Sequence, residues 1–195
     1  MPANSKIDKA LSYASIKHKG QYRKILKHPY IFHPLEVMSI TAMMSEDDDV
    51  LCAALLHDTI EDTNVTIEEL RRLFGDRVAE LVASESENKR IRRPKSETWK
   101  TRKTETIKRI QKSTDLDEKR ICLADKLSNL RSIHMAYLMV GDEMWESFNQ
   151  KDPKEHAWYY ASLRKVLKDD LGEEGPFLEF DFLVDVVFKK YIGGK

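Results

Sequence analysis

Leu55-Leu56-His57-Asp58-Thr59-Ile60-Glu61-Asp62-Thr63 closes an apolar run that starts at Val50, and it places four side chains able to bind a metal or move a proton within six positions. The run Val50 to Leu56 reads as the body of a buried helix. The acidic stretch Ser45-Glu46-Asp47-Asp48-Asp49 suits its positive N-terminal end. An imidazole beside a carboxylate at the end of a buried segment is costly to desolvate unless the groups are paired or hold a cation. A divalent metal that accepts both nitrogen and oxygen ligands resolves that cost.

Helical periodicity extends outward in both directions. Ser5 caps a helix running to about Lys17, and His33-Pro34 opens a second that continues to about Met44, with Pro in its first turn. Thr66-Ile67-Glu68-Glu69 matches a capping box, and Gly75 is a stop signal after Phe74. Further helices are predicted from about Asp76 to Ser84, Glu97 to Lys112, Asp115 to Met139, Pro153 to Asp170 and Pro176 to Tyr191, with a short one capped by Asp142 between those at Asp115 and Pro153. Gly20 to Tyr30 and residues 85–96 break the pattern. No segment alternates for long at period two, and no linker divides the chain, so the expectation is one all-α domain over residues 1–195.

Composition removes several function classes. Lys and Arg together number 33, as do Asp and Glu, so no global field draws the chain to nucleic acid or to an acidic membrane, and neither is expected as a partner. The seven residues of Val50 to Leu56 fall far short of the ~20 needed to span a bilayer. The first residues, Met-Pro-Ala-Asn-Ser-Lys, hold no apolar signal core, and Cys52 and Cys122 sit in apolar surroundings as free thiols. The cytoplasm is the expected compartment. Nothing in the composition sets an oligomeric state.

Two further residues complete a constellation. Asp125 lies among Cys122, Leu123, Leu127 and Leu130, and a carboxylate in that company wants a partner. Asn129, four residues on, shares its face. His33, at a helix start, supplies a second imidazole. Two histidines and two aspartates suit Mn²⁺, Fe²⁺, Co²⁺ or Zn²⁺ better than Ca²⁺ or Mg²⁺, and the lack of a cysteine ligand argues against a structural zinc.

Four ordered blocks then resemble the HD phosphohydrolase superfamily, and within it the hydrolase domain of RelA/SpoT-type proteins and the small stand-alone alarmone hydrolases. They are His18-Lys-Gly-Gln-Tyr-Arg-Lys24, Pro29-Tyr-Ile-Phe-His-Pro-Leu35, Ala53-Ala-Leu-Leu-His-Asp-Thr-Ile-Glu-Asp-Thr63 and Ala124-Asp-Lys-Leu-Ser-Asn-Leu-Arg131. The resemblance implies an HD-domain helical bundle, with a family-like core over about residues 5–140 and C-terminal helices over 141–195. It implies one divalent metal, usually Mn²⁺, held by His33, His57, Asp58 and Asp125. Glu61 and Asp62 match the acidic pair that orients or activates water, and Arg23, Lys24 and Asn129 match positions that contact a small nucleotide and its phosphates. The implied reaction is hydrolysis of the 3′-pyrophosphate of guanosine alarmones. The synthetase domain of the bifunctional proteins is not expected in the roughly sixty residues after Arg131.

The chain departs from the family where a glycine usually precedes Pro-Tyr-Ile; here the segment is Ile25-Leu26-Lys27-His28. His28 is read as a loop residue, and His18 as a packing or hydrogen-bonding one. The Lys/Arg-rich stretch 89–112 is either a solvated face or an electropositive lid, with Lys95, Arg102 and Lys103 as candidates. Trp158-Tyr159-Tyr160 reads as C-terminal core, and His134 and His156 as residues without catalytic roles. Two other functions fit the same residues: an HD-type phosphohydrolase for another nucleotide or phosphate ester, and a non-catalytic nucleotide sensor. The complete ligand set with its acidic pair speaks against the sensor.

Overall fold

A computed structural model of the chain describes residues 5–23, 27–86 and 94–192. They form α1 (Lys6–Lys17), α2 (Phe32–Thr41), α3 (Asp48–Leu56), the single turn α4 (Thr59–Asp62), α5 (Ile67–Phe74), α6 (Asp76–Glu85), α7 (Lys95–Lys112), α8 (Leu116–Val140), a 3₁₀ turn (Gly141–Ser147), α9 (Pro153–Leu171) and α10 (Gly175–Ile192). The fold is all-α, as the periodicity predicts. Among the described residues the β pairing is confined to an isolated antiparallel bridge between Tyr22 and Pro29.

The helices begin where short polar side chains satisfy their first N–H groups. Ser5 and Asp8 cap α1 reciprocally, and Asp47, Asp115 and Asp152 cap α3, α8 and α9. Gly75 ends α5 with φ +92°, a conformation an L-residue rarely takes. Two expected caps turn out otherwise. Thr66 accepts the Glu69 N–H, but the Glu69 carboxylate leaves the cap for Tyr13 Oη (2.7 Å) and Lys17 (3.2 Å), tying α5 to α1. Asp142 does not cap the 3₁₀ turn: its carboxylate accepts from Lys190 and Tyr191 of α10, whose charged and phenolic donors outcompete backbone amides.

Two helices organise the rest. From Cys52 to Leu56 every residue of α3 is buried, so this helix is enclosed by α1, α2, α6 and α8. The long α8 buries Ile121 to Asp125, Leu127, Ser128 and Leu130, and packs on α2, α3, α6, α9 and α10. At the C-terminal end of α3 the apolar run stops, and His57 and Asp58 emerge directly opposite the middle of α8.

Candidate active site

His57 follows the last residue of α3, and its ring is buried. Its Nδ1 donates to the Ala54 carbonyl (2.8 Å), as i to i−3 geometry allows, which leaves Nε2 as the nitrogen turned toward the acids. That atom is buried and has no hydrogen-bond partner among the described residues. It faces Asp58 Oδ2 at 3.0 Å and Asp125 Oδ1 at 3.8 Å. His33, in the first turn of α2, brings a second Nε2 to 3.2 Å from Asp125 Oδ1 and 3.5 Å from Asp58 Oδ2. Two helix ends and the middle of a third thus bring two imidazole nitrogens and two carboxylate oxygens together.

These separations suit a shared ion. Donors each about 2.1 Å from one metal stand roughly 3–4 Å apart, depending on the angle between them. The Asp58 oxygen stands 3.0 Å from His57 Nε2 and 3.5 Å from His33 Nε2, all three donors lie within 4.8 Å of one another, and Asp125 closes on both imidazoles. The orphaned, buried Nε2 of His57 is a donor that the protein alone leaves unused. An oxygen and imidazole set of this kind matches a borderline divalent cation.

The electrostatics of the protein groups lean the same way. Burial alone would depress the His57 pKa, but Asp58, then Asp125, raise it to about 9. Burial pushes Asp58 up, yet the two imidazoles hold it well below the usual carboxylate range. Asp125 is likewise held low, against its burial, chiefly by Lys126, which ion-pairs with its Oδ2. Positive charge is what these acids are built to face.

Each acid is also steadied from outside. Tyr30 Oη donates to Asp58 Oδ2 at 2.5 Å, and Asn129 Nδ2 donates to Asp125 Oδ1 at 2.5 Å. The Asn129 carbonyl end accepts from Arg23 Nη2 (2.9 Å), which also reaches Ser132 Oγ (3.3 Å). The guanidinium lies over the Tyr30 ring, 5.8 Å from its centroid. The segment carrying Arg23 is held in place by the bridge between Tyr22 and Pro29 and by Gln21, whose amide donates to the Asp62 carbonyl (2.8 Å) and accepts from His18 Nδ1 (2.8 Å). His18 is buried and paired, in the role expected for it.

A cleft of about 650 Å³ opens beside this cluster, a size suited to a nucleotide-like ligand. Arg23, Lys126, Asn129 and Asp62 line the side next to the His/Asp cluster. Trp99 and Lys103 from α7 and His156, Tyr159 and Tyr160 from α9 form the far wall. Among the described lining residues Asp62 represents the acidic pair; Glu61 is half-buried on the same turn. Of the basic candidates, Lys103 faces the cleft, while Arg102 is buried with Nε 3.4 Å from Thr98 Oγ1. Lys24 and the Lys95 side chain lie outside the described residues. Tyr159 and Tyr160 are buried, as a core reading predicts, but they also face the cleft, whereas Trp158 stacks under Lys100 on the outside.

Sequence reasoning assigned no role to Lys126 or Tyr30. The signal for Lys126 is its place directly after Asp125. Tyr30 reaches Asp58 across 28 residues, and nothing local announces that.

The HD domain family model matches residues 10–144. Over 129 residues the chain is 36% identical to the guanosine-3′,5′-bis(diphosphate) 3′-pyrophosphohydrolase of Aquifex aeolicus, an alignment covering 65% of this chain and 18% of that protein. The chain spans about a fifth of the length of such long bacterial relatives. It is 36% identical over 135 residues to the Drosophila melanogaster enzyme of the same name, MESH1, covering 68% of this chain and 72% of that one. Among solved structures, a metazoan ortholog of SpoT that hydrolyzes ppGpp superposes with a TM-score of 0.72 at 28% identity, over 97% of both chains.

Proposed function

The chain belongs to the HD-domain family, and from that premise we propose that it is a metal-dependent phosphohydrolase that removes the 3′-pyrophosphate of guanosine tetra- and pentaphosphate. The observation that carries this reading is the convergence of His33 Nε2, His57 Nε2, Asp58 Oδ2 and Asp125 Oδ1, with nitrogen-to-oxygen separations of 3.0–3.8 Å, beside a cleft lined by three cationic side chains. The names of the relatives, in Aquifex aeolicus and Drosophila melanogaster alike, support the substrate.

His33, His57, Asp58 and Asp125 are the residues that would hold the ion, which we assign as Mn²⁺. When bound, such an ion polarises a phosphate oxygen and lowers the pKa of a water. In the balanced reaction, water oxygen bonds to the phosphorus attached at ribose O3′ and the P–O3′ bond breaks. O3′ takes up a proton, and pyrophosphate leaves. Asp62, on the cleft wall, accepts the proton from water, with Glu61 beside it orienting the same water. Arg23, Lys103 and Lys126 offset the phosphate charge, Arg23 through its forked donors, and Lys24 adds to them. Asn129 fixes Arg23 relative to Asp125. The aromatic far wall of Trp99, Tyr159 and Tyr160 excludes water from one side of the nucleotide.

The deciding assay is pyrophosphate release from ppGpp by the purified chain, with and without Mn²⁺, beside Asp58→Ala. Mn²⁺-dependent release that the variant lacks is expected. A chain that binds Mn²⁺ but releases nothing would remove the alarmone assignment. The segment before Pro29, which lacks the family glycine, makes a panel of other nucleotides the next step in that event.

A further inference from the structure

Ser128 is fully buried between α2 and α8, and its hydroxyl stands between two groups. Its Oγ lies 2.7 Å from Glu36 Oε2 and 2.8 Å from His33 Nδ1. A carboxylate only accepts, so the one hydroxyl proton points at Glu36. Oγ is then left to accept from His33, which places the imidazole proton on Nδ1 and leaves the Nε2 lone pair facing Asp58 and Asp125. Glu36 is itself held. Arg131 Nη1 donates to its Oε1 (2.9 Å), while Arg131 Nε and Nη2 grip Glu179 of α10 at 2.6 Å each. His33 and Glu36 are three apart on α2, as Ser128 and Arg131 are on α8, so both helices present the pairs in register.

We propose that Glu36, acting through Ser128, is a positioning residue that sets the tautomer of His33 for the cation, and that Arg131 and Glu179 tie this setting to the C-terminal helix. The inference rests on the metal centre described above. Partners outside the ligands orient them and tune affinity, and losing one typically costs 10–100-fold in metal binding.

The direction of the relay provides its test. In Glu36→Gln the amide oxygen must face Arg131, so the amide NH₂ faces Ser128 Oγ. The hydroxyl proton then turns to His33 Nδ1, and the imidazole proton moves to Nε2, where it opposes a cation. Glu36→Ala leaves Ser128 free to go on accepting from His33. The relay therefore predicts that the isosteric Gln variant is worse than the truncation, the reverse of the order that loss of packing gives.

Mn²⁺ binding to the metal-stripped full chain, followed by calorimetry and by the free-Mn²⁺ EPR signal, reads this directly. Expected are an affinity about 10–100-fold weaker for Glu36→Gln, a smaller loss for Glu36→Ala, weakening for Ser128→Ala and recovery toward wild type for Ser128→Thr. Thermal unfolding confirms that each variant is folded. Glu36→Gln binding as tightly as wild type, or more tightly than Glu36→Ala, overturns the relay and leaves the metal centre standing. Wild-type chain that binds no Mn²⁺ overturns both.

Discussion

The Asn129 side chain donates to the Asp125 carboxylate at 2.5 Å, one turn along α8. Because its carbonyl end accepts from Arg23, one amide spans the seam between the acids and the cleft. Asn129→Ala is expected to weaken Mn²⁺ binding, since Asp125 loses its outside partner. At saturating Mn²⁺ it should lose a further factor of about ten to a hundred in kcat/KM as Arg23 is released, the scale of a hydrogen bond to a charged group. Calorimetry beside steady-state hydrolysis separates the two; a variant with normal kcat/KM would show that Arg23 needs no such tie.

Lys103 reaches the cleft from α7, its ammonium 5.0 Å from the Tyr159 ring centroid. It lies on the far wall of the cleft with Trp99 and Tyr159, across from Arg23, Asn129 and Lys126. Lys103→Ala should raise KM by about fivefold, roughly 1 kcal/mol, with kcat little changed. The difference from wild type should shrink as salt rises. A fall in kcat instead would place this lysine nearer the reacting phosphorus than the geometry suggests.

His156 packs against Trp99, Trp145 and Phe148, with Nε2 donating to the Gln150 carbonyl. Burial, outweighing that hydrogen bond, pushes its pKa below the usual value. The unfolded chain titrates near ~6.5 and takes up the proton first. The stability His156 confers is therefore complete above about pH 6.5 and is lost as pH falls through the lower, folded pKa. Urea unfolding between pH 7 and pH 5 should show the decline, and His156→Gln should flatten it. Equal slopes in the two proteins would sink the assignment.

Lys27 has φ +57°, a left-handed backbone that costs an L-residue about 1–2 kcal/mol. Lys27→Gly removes that cost while adding the larger chain entropy of glycine, for a net gain of roughly 0.5–1 kcal/mol. An upward shift in unfolding temperature of about 2 °C is the expected readout. This strained residue lies in the segment where the resemblance led one to expect a glycine.

Much of this was legible because the signals are local. The apolar run of α3, the acidic stretch before it, the cap at Ser5 and the stop at Gly75 depend on neighbours a few residues away. The same holds for the placement of His57 and Asp58 at a buried helix end. Bonds formed across long sequence separations were not legible. Asp142 and Glu69 looked like caps because capping is the local option, yet charged donors on α10 and α1 claimed them. The bridge from Tyr22 to Pro29 arises in a segment with no periodicity. Helical spacing marked Tyr159 and Tyr160 as inward-facing but could not say that a cleft lies opposite them. Ser128 and Glu36 are small or polar positions on amphipathic helices until the fold brings His33 and Arg131 to them.

Within seven consecutive residues, α8 aims Asp125 at the imidazoles, Lys126 and Asn129 at the cleft, Ser128 at α2 and Arg131 at both α2 and α10. Each residue advances the helix by about 100°. Inserting or deleting one residue inside this window would swing everything beyond it to a different neighbour, so no single substitution elsewhere could restore the contacts. Changes in chain length should therefore be tolerated only at the ends of α8, around Ser113 and the turn after Gly141. Along this helix, spacing constrains the protein more tightly than the identity of any one side chain.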